Sequence, residues 1–139
     1  QGQLAALFDA LHRVESHRSH DPFILPAAER RGEAGEDLVE AARAFFRDHL
    51  AEKITLGRTA DHLGMSQSSF SHRYTALAGR SPMADLAAMR VEAATGLLLR
   101  GLKLDVIARQ VGFCDAFHLS RAFRRHRGMA PSCFRQRFR

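Results

Sequence analysis

A unit of about fifty residues occurs twice in this chain. Leu56, Ala60, Leu63 and Gly64 return as Leu104, Ala108, Val111 and Gly112 at an offset of 48. Past a turn, Phe70, Tyr74, Gly79 and Pro82 return as Leu119, Phe123, Gly128 and Pro131 at an offset of 49. Such a period marks one supersecondary unit used twice, so the fold must contain two like parts. Each copy reads as a short helix with an inward alanine, a glycine at a turn, and a longer helix. The alanine lets the two helices cross steeply, and the glycine supplies the positive φ of a tight turn. This is the pattern of a helix-turn-helix. The residue added in the second turn leaves Asp115 placed to cap the helix that follows.

The remaining periodic segments are also helical, which predicts an all-α chain. Leu4, Leu7, Phe8, Leu11 and Val14 predict an amphipathic helix over residues 3–15. Residues 16–35, broken by Pro22, Pro26, Gly32 and Gly35, read as a linker. Asp37 and Glu40, in capping-box spacing, open a helix burying Leu38, Val39, Ala42, Phe46 and Leu50. Thr55 is placed to cap a helix with Leu56, Ala60 and Leu63 inside, and Ser66 one with Phe70, Tyr74 and Leu77 on a single face. Ser81 followed by Pro82 starts a long helix burying Leu86, Met89, Ala93, Leu97 and Leu98, which ends at Gly101. Gly96 within it costs about 1 kcal/mol against alanine and is expected to be a close-packing point. The organisation expected is a preceding domain's last helix and linker over 1–35, then a bipartite domain over 36–139. In that domain the first helix-turn-helix spans 55–79, the linker helix 82–100 and the second helix-turn-helix 103–128.

Charge narrows the partner. Of the 21 Lys and Arg and 15 Asp and Glu that give the net +6, residues 1–35 hold four arginines and five acids. From Arg121 to the end there are seven arginines and no acid. Basic charge gathered on one compact segment suits a polyanion. Joined to two helix-turn-helix units, it points to double-stranded DNA, with the early residues of each second helix reaching base edges in the major groove. These are Gln67, Ser68, Ser69, Ser71, His72 and Arg73 in the first unit, and Ala116, Phe117, His118, Ser120 and Arg121 in the second. Glutamine suits adenine, arginine suits guanine, serine suits either, and an exposed Phe or Ala meets a thymine methyl. Phe117 fits the core equally well. With about six phosphate contacts, affinity falls roughly a thousandfold between about 50 and 200 mM salt.

The run Gly112-Phe113-Cys114-Asp115-Ala116-Phe117-His118-Leu119-Ser120-Arg121-Ala122-Phe123-Arg124-Arg125, with Gly128, Pro131, Phe134 and Arg135 after it, resembles the C-terminal signature of AraC/XylS-type transcription regulators. Leu86, Arg90, Ala94, Leu97 and Leu98 are similar to that family's linker helix, and the resemblance covers about residues 37–138. It implies two homeodomain-like helix-turn-helix subdomains entering successive major grooves about 34 Å apart. It also implies base contacts at Ser68, Ser71 and His72, and at Ala116, Phe117, Ser120 and Arg121. The family often carries arginine in place of His72; Arg73 beside it either compensates or serves a phosphate. Arg124, Arg125, Arg127, Arg135, Arg137 and Arg139 are expected at phosphates, which position without specifying.

Other chemistry finds little footing. The eight histidines form no Cys/His set with zinc spacing. There is no phosphate-cradling loop and no nucleophile elbow. Neither catalysis, metal nor cofactor is expected. Cys114 offers an alternative, a thiol accepting alkyl groups or sensing oxidants, against the plainer expectation of a half-buried inert cysteine. A helical module contacting RNA polymerase is a second alternative, or an additional role. No apolar run approaches membrane-spanning length, and two cysteines suit a reducing cytoplasm. A chain beginning at Gln1 is expected to be part of a longer protein, and a small-molecule effector is expected only through a preceding N-terminal domain.

Overall fold

The computed structural model describes residues 27–138, with side chains described from Asp37 onward, and the compact unit Ala34–Arg139 is treated by itself. The helix expected over 3–15 lies outside the described residues. Seven helices follow one another: α1 (Ala27–Asp48), α2 (Leu56–His62), α3 (Gln67–Ala78), α4 (Pro82–Leu99), α5 (Leu104–Val111), α6 (Ala116–Arg127) and α7 (Pro131–Phe138). There is no strand among the described residues.

Local chemistry fixes most of the helix starts. The side chains of Thr55, Ser66, Ser81 and Asp115 each accept the amide three residues on, from Arg58, Ser69, Ala84 and His118. These are four of the five caps that the sequence marks; the fifth, Asp37, lies inside a helix. Each cap satisfies one of the amides that a helix start leaves without a partner.

α1 differs from expectation. It begins at Ala27 and not at Asp37, and runs through Gly32 and Gly35. Gly35 is buried, and a Cβ there would stand 2.7 Å from Cδ2 of Leu77 on α3. The glycine that reads as a linker break therefore serves close helix packing. Gly96 corrects in the opposite direction: it is exposed, and a Cβ on it would meet nothing within 4 Å. Leu77, expected inside, remains 47% exposed.

The core is divided in two. Leu38, Ala42, Phe45, Phe46, Ile54, Ala60, Phe70, Tyr74 and Leu86 form one apolar cluster, with Met89 packed against it. Val91, Ala94, Leu98, Ile107, Ala108, Val111, Leu119 and Phe123 form the other. The boundary falls within α4, whose first half closes the first core and whose second half begins the next. The repeat persists in three dimensions. The amides of Met65 and Phe113 bond the carbonyls of Ala60 and Ala108, at 2.9 and 2.8 Å, across the two turns.

Candidate nucleic-acid interface

In each copy the second helix is anchored by two aromatic or aliphatic residues on one face, which turns the other face outward. On α3, Phe70 and Tyr74 are fully buried, while Gln67, Ser68, His72 and Arg73 are exposed and Ser71 is half-buried. On α6, Leu119 and Phe123 are fully buried, Arg121 is exposed, and Ala116 and Ser120 are half-buried. Phe117 is 65% exposed, which removes the core alternative for it.

The two outward faces differ in texture. On α3 the amide of Gln67 folds back over α2, so a Cβ on Gly57 would lie 2.8 Å from Nε2 of Gln67. What projects beyond it is Ser68, His72 and Arg73, with no exposed aromatic hydrocarbon ring. On α6 the guanidinium of Arg121 lies over the Phe117 ring, 5.7 Å from its centroid. Stacking of this kind holds a long side chain in a narrow range of orientations. Phe117, Ser120, Arg121 and Arg124 line a groove of about 340 Å³ with Leu104 and Pro131 on its other wall. The Asp115 carboxylate accepts both the amide and the ring Nδ1 of His118, at 2.9 and 2.8 Å. Those bonds, the amide first, hold its carboxyl below the usual range.

Among the described residues Arg73, Arg121, Arg124 and Arg125 pair with no carboxylate. The last turn of α6 gathers Arg124, Arg125, His126 and Arg127, cations favoured at a helix C-terminus. Burial, and then the guanidiniums of Arg80 and Arg125, lower the pKa of His126. Arg127 bonds Glu92 of α4. Arg135, expected at a phosphate, spends its guanidinium on the carbonyls of Leu98 and Leu102, the first at 3.1 Å, and so caps the end of α4. Cys114, expected half-buried, is exposed.

Two sets of polar bonds escape the sequence reading. Asp85 is 1% exposed and receives Arg43 at 2.9 Å, Arg80 at 2.7 Å and the Tyr74 hydroxyl, which ties α1, α3 and α4 together. Arg90 of α4 donates to the carbonyls of Leu50 at 3.1 Å and Glu52 at 2.8 Å. The repeat offers a signal for the first, since Tyr74 corresponds to Phe123 in the other copy. Nothing in the spacing marks the second, because its partners are carbonyls that any residue would supply.

Among the described residues no three His, Cys, Asp or Glu side chains gather as metal ligands, and no helix is long and apolar enough to cross a membrane. A family profile described as a helix-turn-helix domain matches residues 59–137. The MmsAB operon regulatory protein of Pseudomonas aeruginosa is 32% identical over 131 residues, which take in 94% of this chain and 41% of that protein. The arabinose operon regulatory protein of Escherichia coli is 31% identical over 103 residues, 72% of this chain and 35% of that protein. The chain thus spans less than half the length of these regulators. The DNA-binding domain of AdpA, solved in complex with a target DNA, matches at 30% identity and a TM-score of 0.68, over 74% of this chain and 94% of that one. With two like helix-turn-helix units hung on one linker helix, and relatives of this kind, the chain belongs to this helix-turn-helix family and is a DNA-binding domain of the AraC type.

Proposed function

We propose that the domain recognises a bipartite DNA sequence, α3 and α6 each entering a major groove about one helical turn apart. Gln67, Ser68, Ser71 and His72 would read one segment, and Ala116, Phe117, Ser120 and Arg121 the other. Arg73, Arg124 and Arg125 would hold phosphates, and Arg127 would do so by exchanging the exposed Glu92 carboxylate for one. Arg135 is not carried into that set, because its guanidinium is occupied at the end of α4. The observation that carries the reading is the doubled unit: each copy has its own core and presents a polar second helix outward. The domain acts by binding and not by catalysis. In the intact protein it would serve a cytoplasmic transcription regulator, contact RNA polymerase, and answer to an effector through an N-terminal domain. The names of the matched operon regulators support this role.

Selection of bound sequences from a random duplex library at near-physiological salt tests the proposal. The expected result is two short motifs separated by about one helical turn. A diffuse result, with affinity set by salt alone, would mean that the domain holds DNA only through its arginines and would overturn the bipartite reading.

A further inference from the structure

The two apolar cores share no buried residue, and the boundary between them passes between Met89 and Val91. The residue at that boundary is Arg90. Its Nε and Nη2 reach across to the carbonyls of Leu50 and Glu52, just beyond the end of α1. On its other side lies the turn of the second unit. A Cβ on Gly112 would stand 2.6 Å from Nε of Arg90 and 2.2 Å from the Leu50 carbonyl oxygen. The guanidinium also sits 5.9 Å from the centroid of the Phe113 ring. One planar cation therefore touches the first unit through hydrogen bonds and the second through packing, where no shared core exists to lock them.

We propose that Arg90 is the positioning residue that sets the angle and distance between α3 and α6, and thereby the spacing the domain requires between its two DNA segments. Carbonyl acceptors beyond a helix end point in fixed directions, and the guanidinium fork satisfies two of them in one geometry. The glycine allows the second turn to close on that fork without a gap. A lysine supplies the charge but neither the plane nor the paired donors, so it restores only part of the constraint. The opposite arrangement appears at the far end of α4, where Arg135 caps carbonyls lying wholly within the second unit and constrains nothing between the two.

This inference rests on the bipartite reading, so its test has one arm without DNA. Spin labels placed through Ala76→Cys on α3 and Gln110→Cys on α5, with Cys114→Ser and Cys133→Ser, report the distance between the units. The expected result is a single narrow distance in the parent and a broadened one in Arg90→Met, with Arg90→Lys between them. In the DNA arm, duplexes carry both selected segments at spacings from three base pairs shorter to three longer. Arg90→Met should flatten the spacing preference by roughly tenfold, as expected when linked modules lose a fixed geometry. Affinity for either segment alone should stay within about twofold. A distance as narrow in Arg90→Met as in the parent, or an unchanged spacing preference, overturns the proposal. If Arg90→Met does not fold, Arg90→Lys carries both readouts. A parent with a narrow distance but no spacing preference would overturn the bipartite reading, and the claim about spacing with it.

Discussion

Where each recognition helix meets the helix after it, the two halves of this domain solve one problem with opposite chemistry. In the first half the buried Tyr74 hydroxyl bonds Asp85, which is also held by Arg43 and Arg80. At the repeat offsets these four positions become Phe123, Phe134, Val91 and Met129. The phenyl rings of Phe123 and Phe134 meet edge to face, with centroids 5.3 Å apart. The backbone arrangement is kept while an ion network gives way to an apolar contact. The repeat therefore conserves shape at this joint and leaves its chemistry free. The ionic version is sensitive to acid, whereas the aromatic version depends on buried area and ring geometry and carries no charge to titrate.

The largest test of that contrast is at Asp85. Asp85→Ala strands the buried Tyr74 hydroxyl and releases two partly exposed arginines, and should destabilise the domain by about 3 kcal/mol in chemical denaturation. Phe134→Ala, at a half-buried ring, should cost about 2 kcal/mol. Acid separates the two further. Burial alone would raise the pKa of Asp85, but the Tyr74 hydroxyl and the Arg43 and Arg80 guanidiniums outweigh it and hold the carboxyl below its usual range. A depressed carboxyl contributes stability above its unfolded value, near about 3.9, and that contribution is lost as pH falls through the folded value. Tyr74 is the only tyrosine in a chain without tryptophan, so its emission reports the first half. That emission should change before total helicity on acidification below about pH 4. Coincident transitions in the parent, or the same acid step in Asp85→Ala, would dissolve the distinction.

Next is the pair of turn glycines. Gly64 and Gly112 both have positive φ, but a Cβ on Gly64 would meet open space, whereas on Gly112 it would strike the Leu50 carbonyl. Gly112→Asn should cost about 2–3 kcal/mol, and Gly64→Asn less than about 1 kcal/mol, because asparagine tolerates the left-handed region. Similar melting temperatures for the two variants would show that the turns are equivalent after all. The recognition faces come third. Arg121→Ala should lose about 2 kcal/mol of binding at one base pair and relax specificity there. His72→Ala should lose less, since a stacked guanidinium presents a fixed fork and an exposed imidazole does not. Equal losses on every sequence would reassign Arg121 to a phosphate. The smallest effect is a gain: Gly96→Ala, in the open, should raise stability by about 1 kcal/mol, visible as a higher melting temperature.

What the sequence made legible was local. The caps at Thr55, Ser66, Ser81 and Asp115 were readable because each acts on an amide three residues away. Two of the helical glycines, Gly35 and Gly96, depart from the sequence reading for the complementary reason. Whether Gly35 or Gly96 meets a neighbour depends on Leu77 in one case and on solvent in the other, and helical spacing carries neither fact. Apolar periodicity left Phe117 poised between core and surface, and only the burial of Leu119 and Phe123 on the opposite face decides it. The candidate base-reading positions were legible as a set because the repeat fixes which face of each second helix is anchored. Asp85 was hidden among apolar neighbours, as its partners come from α1, from α3 and from the turn after α3.

The division of the core along α4 has a consequence for synthesis. Leu86 and Met89 complete the first cluster, and the residues that open the second, Val91 and Ala94, follow them directly in the chain. The first half thus has every member of its core once Met89 has left the ribosome, before α5 and α6 have emerged from it. Half of α4 is then held in place, and its free C-terminal turns form a helical template on which the later half assembles as it emerges. A single helix shared by two cores makes the assembly of this domain directional, with the N-terminal half folding first.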